Sequence, residues 1–343
     1  MITVKFYYKK NDARCEQALA DLQSIQETVP HQLAMIDIEA DNNLKESFTS
    51  TIPVVQAGPF RLQAPFTRQE LLVALSAARD RHNEMKDDKT YQKRLERSAS
   101  ITTSDHISYW LSKHYMAVFN SFLMLFVGFP FMAPILMKLG IEPPARVIYL
   151  VYSPLCHQLA YRSFFLFGEQ LYYPRSLAHI PWVKTFEEVS KLDSYDTFTA
   201  RQFDGNSLLG FKVAICERDV AIYCGMLFFG LLFSRFGRKW KSIPWYAWVI
   251  LGIIPMGLDG GSQLPSLVSG VFPAWFPLRE STPLLRVLTG GLFGITTAWY
   301  LFPYVEDSMK DTRSLLDKKF AILKQLANQK AGAESEGDYP DAH

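Results

Sequence analysis

The central part of the chain contains apolar segments long enough to cross a lipid bilayer. Residues 116–140 carry no charge before Lys138, and further apolar segments follow at 221–236, 245–260 and 284–305. A spanning helix needs about 20 largely apolar residues. The first segment has that length, and the second reaches it by extending back toward Val213. The sequence therefore predicts a helical bundle with four full spans.

A fifth apolar segment, at 146–167, is interrupted after about ten residues by Cys156, His157 and Gln158. Its apolar part is short for a complete crossing. The pattern predicts either a re-entrant segment or a fifth helix.

Composition narrows the function classes. Net charge is +2 and aromatic residues make up 14% of the chain. A balanced charge argues against nucleic acid as a partner, since phosphate binding needs a basic surface. Four cysteines exclude a disulfide-rich secreted scaffold. The first ten residues have no apolar core, so no cleavable signal peptide is expected.

The first 80 residues predict a small mixed domain with the order βαβα followed by ββα. With Thr-Ile-Pro-Val at 51–54, this order resembles the glutaredoxin-like branch of the thioredoxin fold. The resemblance implies a cis Pro53 beside a C-x-x-C pair, but here Asp12 replaces the first cysteine and only Cys15 remains. Dithiol exchange needs both thiols. A redox-inactive module that docks a protein partner is therefore expected, with a redox role for Cys15 as the alternative.

The complete prediction is an α/β thioredoxin-like domain followed by an α-helical transmembrane bundle. The domain is expected at 1–80, and a charged linker at 81–113. The membrane domain spans 114–305 with an insertion at 171–213, and 306–343 form an amphipathic helix with an acidic tail.

Positive charges predict the orientation. The loop 233–242 carries Arg235, Arg238, Lys239 and Lys241 without an acidic residue, and basic residues also flank the first and last spans. Basic loops stay in the cytoplasm. Both termini and this loop are therefore predicted to be cytoplasmic, in the plasma membrane of a prokaryote.

That orientation places polar residues from several segments at one depth, near the outer leaflet. Ionisable groups at such a depth usually face a bundle interior or an aqueous cavity. We therefore expect them to line one outward-facing site. The candidate residues are Cys156, His157, Gln158, Arg162, Cys216, Arg218, Asp219, Asp259, Gln263, Arg279, Ser281 and Arg286.

The same residues carry a second resemblance. Leu-Cys-His-Gln at 155–158, Pro-Met-Gly-Leu-Asp-Gly at 255–260 and Arg-Glu-Ser at 279–281 resemble motifs of an uncharacterised prokaryotic polytopic membrane family. The resemblance covers about 150–295. It implies membership of this family but no particular reaction. Two departures stand out: Asp219 replaces the second cysteine of the family's C-x-R-C motif, and the insertion at 171–213 replaces a short turn.

The candidate residues allow several kinds of chemistry. Cys156, His157, Cys216 and Asp219 are zinc-competent ligands, although an adjacent cysteine and histidine do not easily face one ion. A Cys156–Cys216 disulfide and simple buried thiols are the alternatives.

The arginines suggest a clamp for an anionic or lipid-like ligand, or contacts to membrane lipid headgroups. The sequence thus leaves three functions open. The first is a ligand-binding membrane protein, with or without catalysis at a metal. The others are a transporter or scaffold whose cytosolic domain recruits a partner, and a thiol–disulfide membrane protein.

Overall fold

The computed structural model describes residues 1–48, 50–267 and 278–336. The end of the predicted acidic tail, 337–343, lies outside the described residues. The chain divides into two compact units: Met1–Lys113 together with Met309–His343, and His114–Ser308. The N-terminal region is mixed α/β and the larger unit is mainly helical.

The first unit is built on a four-stranded sheet with the order β2-β1-β3-β4. Strand β1 pairs in parallel with β2 and antiparallel with β3, and β4 completes a hairpin with β3. The strands and helices are β1 (Ile2–Tyr8), α1 (Ala13–Ile25), β2 (His31–Asp37), α2 (Asn42–Phe48), β3 (Val54–Ala57), β4 (Phe60–Gln63), α3 (Arg68–Met85) and α4 (Lys89–Ala99).

Local sequence signals explain how two of these helices begin. The Asp12 carboxylate accepts the backbone N–H of Arg14 and caps α1, and Thr67 with Glu70 forms a capping box at α3. Cys15 lies on the buried face of α1 and is only 3% exposed. The Ile52–Pro53 peptide bond is cis, as predicted.

The C-terminal part of the chain completes this unit. Ile322 packs into the core of the sheet domain, and the Gln325 amide both accepts the N–H and donates to the C=O of Asp37. These bonds occupy backbone groups on β2, an edge strand that would otherwise be open to pairing. Residues 81–113, expected as a linker, are helical over most of their length.

The second unit contains the apolar helices. The remaining elements of the chain are α5 (Thr103–Lys138), α6 (Glu142–Tyr152), β5 (Ser163–Leu166), α7 (Phe186–Ser190), α8 (Thr197–Gln202), β6 (Gly205–Asn206), β7 (Gly210–Cys216), α9 (Glu217–Arg235), α10 (Trp245–Trp248), α11 (Ile254–Gly261), α12 (Leu264–Leu267) and α13 (Pro283–Glu336). Among the described residues, two helical stretches are long and apolar enough to cross a membrane: Thr103–Lys138 and Pro283–Gln329.

Two details of the predicted segments are corrected. Residues 146–167 do not form a fifth helix, because α6 ends at Tyr152 and the chain continues into strand β5. The second apolar segment does not extend as a helix to Val213, because β7 runs to Cys216 and pairs with β5. The segment 245–261 is continuous helix, with one π-helical stretch (Val249–Ile253) between α10 and α11.

Contacts between the long helices fix their relative directions. Asn120 of α5 hydrogen-bonds Ser234 of α9, whereas Phe126 contacts Tyr223, so these two helices are antiparallel. Gly290 of α13 lies beside Arg218 of α9, and further along Trp299 stacks on Phe229, so α9 and α13 run in the same direction.

The predicted insertion shares a hydrophobic core with the segment 159–165 that precedes it. Strands β5, β7 and β6 form a three-stranded sheet, and α7 and α8 flank it. Tyr161, Phe165, Tyr173 and Phe186 pack together beneath these elements. The insertion is therefore a folded extension rather than a simple turn.

Candidate functional site

A cavity of about 320 Å³ opens where α9, α11 and α13 meet the loop that follows α6. Eight of the twelve predicted site residues line it. The lining residues are Leu155, Cys156, His157, Arg162, Cys216, Arg218, Asp219, Ile222, Met256, Gln263 and Arg286. The structure thus brings together residues from four separate parts of the sequence.

Two thiols and an imidazole converge at one side of the cavity. The ligand atoms of Cys156, His157 and Cys216 all lie within 4.8 Å of one another. The Cys156 Sγ lies 3.6 Å from the neighbouring His157 Nδ1 and accepts the Cys216 backbone N–H at 3.2 Å. All four cysteines of the chain are free thiols in this structure. Although they are adjacent in sequence, Cys156 and His157 direct their ligand atoms toward the same place.

The two sulfur atoms differ in their electrostatic surroundings. Hydrogen bonding from the Cys216 thiol, helped by His157, lowers the pKa of Cys156, although burial opposes this. The resulting thiolate raises the pKa of Cys216, which is fully enclosed. Asp219 is close enough to interact with both sulfur atoms. The surroundings therefore favour the thiolate at Cys156 over the thiolate at Cys216.

A buried ion-pair cluster lies beside the thiols, centred on Glu280. Arg162 binds this carboxylate in a bidentate manner, at 2.8 and 2.9 Å. Arg286 and Arg175 also contact it, and Arg286 reaches Glu217 at 3.1 Å. Burial favours the neutral acid, but the three guanidinium groups outweigh it and hold the pKa of Glu280 below its ordinary value.

A second ion-pair group surrounds Asp259 on α11. Arg218 pairs with its carboxylate at 2.5 Å and Arg279 at 3.2 Å, while Gln263 donates to its backbone carbonyl at 2.6 Å. In the described part of the chain Asp219 does not join this group and faces the thiols instead.

Several polar groups of this site lack a hydrogen-bond partner. They include the Nε groups of Arg218 and Arg286 and the Oε1 atom of Gln263. All three side chains line the cavity, and Arg286 is only 1% exposed. Buried polar groups without partners are rare in native proteins and call for an explanation such as a bound ligand or ion.

Two predicted residues have a structural role instead. Gln158 donates to the backbone carbonyls of Tyr149 and Ala214, and the Ser281 hydroxyl donates to the carbonyl of Thr282. Three important residues were not among the candidates: Arg175, Glu217 and Glu280. Glu280 stands directly between Arg279 and Ser281 in the sequence, and this placement was the available signal.

Comparisons with known proteins support the conclusion that the chain resembles a membrane protein. A family model described as a predicted membrane protein (DUF2085) matches residues 205–300. An uncharacterised protein of Methanocaldococcus jannaschii is 29% identical over 202 residues, which are 56% of this chain and 93% of that protein. No solved structure matches the chain significantly. The expected resemblance to a membrane family is thus confirmed over the region that carries Cys216, Asp259 and Arg286.

Proposed function

We propose that this chain is a polytopic membrane protein that binds an anionic, phosphate-bearing ligand in the cavity between Arg218 and Arg286. The observation that carries the proposal is the pair of unpartnered Nε groups on these two arginines. A phosphate oxygen is the usual partner of a guanidinium N–H group.

The charge balance supports an anion. Five arginines surround this end of the unit, and four carboxylates accompany them. The arginines are Arg162, Arg175, Arg218, Arg279 and Arg286, and the carboxylates are Glu217, Asp219, Asp259 and Glu280. These nine side chains alone leave one positive charge, which a bound anion would offset in a place where burial makes charge costly.

The test of this function uses the purified protein in detergent, with inorganic phosphate and a short-chain phosphatidylglycerol as two separate probes. A saturating anion should raise the Tm by about 5 °C, since ligand at about 100 times its Kd stabilises by roughly 2.7 kcal/mol. The variant Arg218→Gln with Asp259→Asn removes one N–H donor without leaving a buried carboxylate unpaired, and it should lose most of this shift.

Arg146→Gln is the matched control, because Arg146 is an exposed arginine on α6. A shift with phosphate identifies a free anion as sufficient, and a shift with the lipid alone identifies a lipid headgroup. No shift with either probe, or equal shifts in the double variant and the parent protein, would contradict the proposed function.

We further propose that the larger unit crosses the bilayer four times, through α5, α9, the helical segment 245–261 and α13. Exposed apolar side chains support this, among them Leu125 on α5, Phe228 on α9 and Leu258 on α11. The directions of α5, α9 and α13 are those expected of a first, a second and a fourth crossing. Both termini and the basic loop around Lys239 would then lie in the cytoplasm of a prokaryote, and the cavity would open on the outer side.

Cysteine labelling in intact cells tests this orientation. In a Cys224→Ala background, Tyr195→Cys on the insertion should react with a membrane-impermeant maleimide, because its position is exposed. Lys239→Cys should react only after the cells are permeabilised, because its basic loop is retained in the cytoplasm. Labelling of Lys239→Cys in intact cells would refute the four-span arrangement.

For the first unit we propose a glutaredoxin-like scaffold without the dithiol cycle. The strand order β2-β1-β3-β4 supports the resemblance. A carboxylate at Asp12 cannot form a mixed disulfide, and burial raises the pKa of Cys15, which disfavours a reactive thiolate. Such a scaffold is suited to docking a protein partner.

A further inference from the structure

We propose that Cys156, His157 and Cys216 bind a zinc ion with an open fourth position that faces the arginine-lined cavity. Two thiolates and one imidazole form a ligand set of the kind found in catalytic zinc sites, which keep one position for water or a substrate. The role of the open position depends on the proposed anion-binding function. Zinc binding by the three residues does not depend on it.

The distances between the ligand atoms fit a tetrahedral ion. Zinc lies about 2.3 Å from a thiolate sulfur and about 2.05 Å from an imidazole nitrogen, so these two atoms should be about 3.6 Å apart at a tetrahedral angle. The distance between Cys156 Sγ and His157 Nδ1 is 3.6 Å. All pairs in the set lie within 4.8 Å, so small side-chain rotations would close the site around an ion.

The backbone positions the ligands from two separate elements. Cys156 and His157 lie in the loop directly after α6, and Cys216 ends β7 and caps α9. The N–H group of Cys216 donates to Cys156 Sγ, an outer-sphere bond of the kind that orients metal ligands. Cys156 and Cys216 are buried, while His157 is exposed and provides a route of entry for the ion.

Charge also favours a metal at this point. Zinc binds cysteine as the thiolate, so binding would release the thiol protons of Cys156 and Cys216. A doubly charged ion would then neutralise both sulfur atoms. The arginines of the cavity would be left to attract an anion to the open position.

Asp219 stands outside the compact group of three ligand residues. Its oxygen atoms are not among the ligand atoms that lie within 4.8 Å of one another, although its carboxylate interacts with both sulfurs. In this arrangement Asp219 lies beside the two sulfur atoms but outside the set of zinc ligands. The four-ligand set suggested by the sequence is thereby reduced to three.

The experiment measures metal content and Co²⁺ spectra of the purified full-length protein. One zinc ion per chain is expected after reconstitution, and Co²⁺ should give the intense visible bands and sulfur-to-metal charge transfer of a tetrahedral thiolate site. Cys156→Ser, Cys216→Ser and His157→Ala should each weaken zinc binding by more than roughly 100-fold, the upper range for loss of an outer-sphere partner. Cys224→Ser, which changes an exposed cysteine, is the matched control and should bind normally.

A second measurement covers the case in which a ligand variant does not fold. In the parent protein, zinc should protect two thiols from a thiol-specific reagent, and a chelator should expose them again. No zinc above background, or a Cys156–Cys216 disulfide in the purified protein, would overturn the site.

Two further measurements address the open position. Inorganic phosphate should shift the visible bands of the Co²⁺ protein, and Asp219→Asn should retain a full metal content. Unchanged bands, or metal loss in Asp219→Asn as severe as in Cys156→Ser, would overturn the open position. The Arg218→Gln, Asp259→Asn variant should still bind zinc, so a failure of anion binding can be distinguished from a failure of the metal site.

Discussion

Replacing Glu280 with glutamine should destabilise the protein more than any other single change in its ion-pair cluster. Glu280 is 5% exposed and contacts three arginines, and Arg162 and Arg175 have no other carboxylate partner among the described ion pairs. Glutamine keeps the shape but removes the charge, so buried guanidinium groups would lose their counterion. Breaking a buried pair in this way costs about 3–5 kcal/mol.

The measurement is denaturant-induced or thermal unfolding in detergent, compared with two other variants. Glu169→Gln removes a carboxylate from an exposed ion pair with Lys184, and its cost should stay below about 1 kcal/mol. Glu280→Asp keeps the charge with a shorter side chain and should fall between the two. If Glu280→Gln unfolds like Glu169→Gln, the cluster does not hold this end of the protein together.

The sequence shows where each apolar segment ends, and therefore how deep in the bilayer a charged residue beside it would lie. It also shows which residues would be costly to bury without a partner. Cys216, Arg218 and Asp259 stand at the ends of such segments, and charged groups there need partners. The structure contains one such pair, between Arg218 and Asp259. The sequence could not assign the partners of each arginine in the ion-pair cluster around Glu280. The rotation of each helix about its own axis decides whether an arginine side chain faces Asp219 or Glu280.

The segments around the predicted insertion show where apolar patterns fail. A run such as 210–216 is apolar enough to continue a helix, yet it forms β7 because β5 supplies a partner strand far away in sequence. Short apolar runs do not distinguish helix from strand. In the first unit, by contrast, the signals that begin a helix are local, and the capping box of Thr67 and Glu70 needs only four consecutive residues.

The packing of α9 against α13 was also absent from the sequence reasoning, although a small-residue motif marks it. Gly290 and Gly294 stand four residues apart on α13, in the Gly-x-x-x-Gly spacing that lets helices approach closely in membranes. A Cβ atom at Gly294 would lie 2.0 Å from the carbonyl oxygen of Ile222, and one at Gly290 would lie 2.8 Å from that of Arg218. The contact therefore requires glycine, and it holds the arginine of α9 beside the cavity.

Gly294→Ala should accordingly destabilise the protein by at least about 2 kcal/mol, since the added methyl group meets backbone rather than a movable side chain. Gly291→Ala is a closely matched control, because it lies in the same helix and its Cβ atom would meet nothing within 4 Å. Alanine favours a helix over glycine by about 1 kcal/mol, so this control should be neutral or stabilising. Unfolding in detergent measures both variants. Because α9 also carries Arg218, separation of the two helices should weaken anion binding only in Gly294→Ala. Equal stability of the two variants would mean that α9 and α13 do not depend on this close approach.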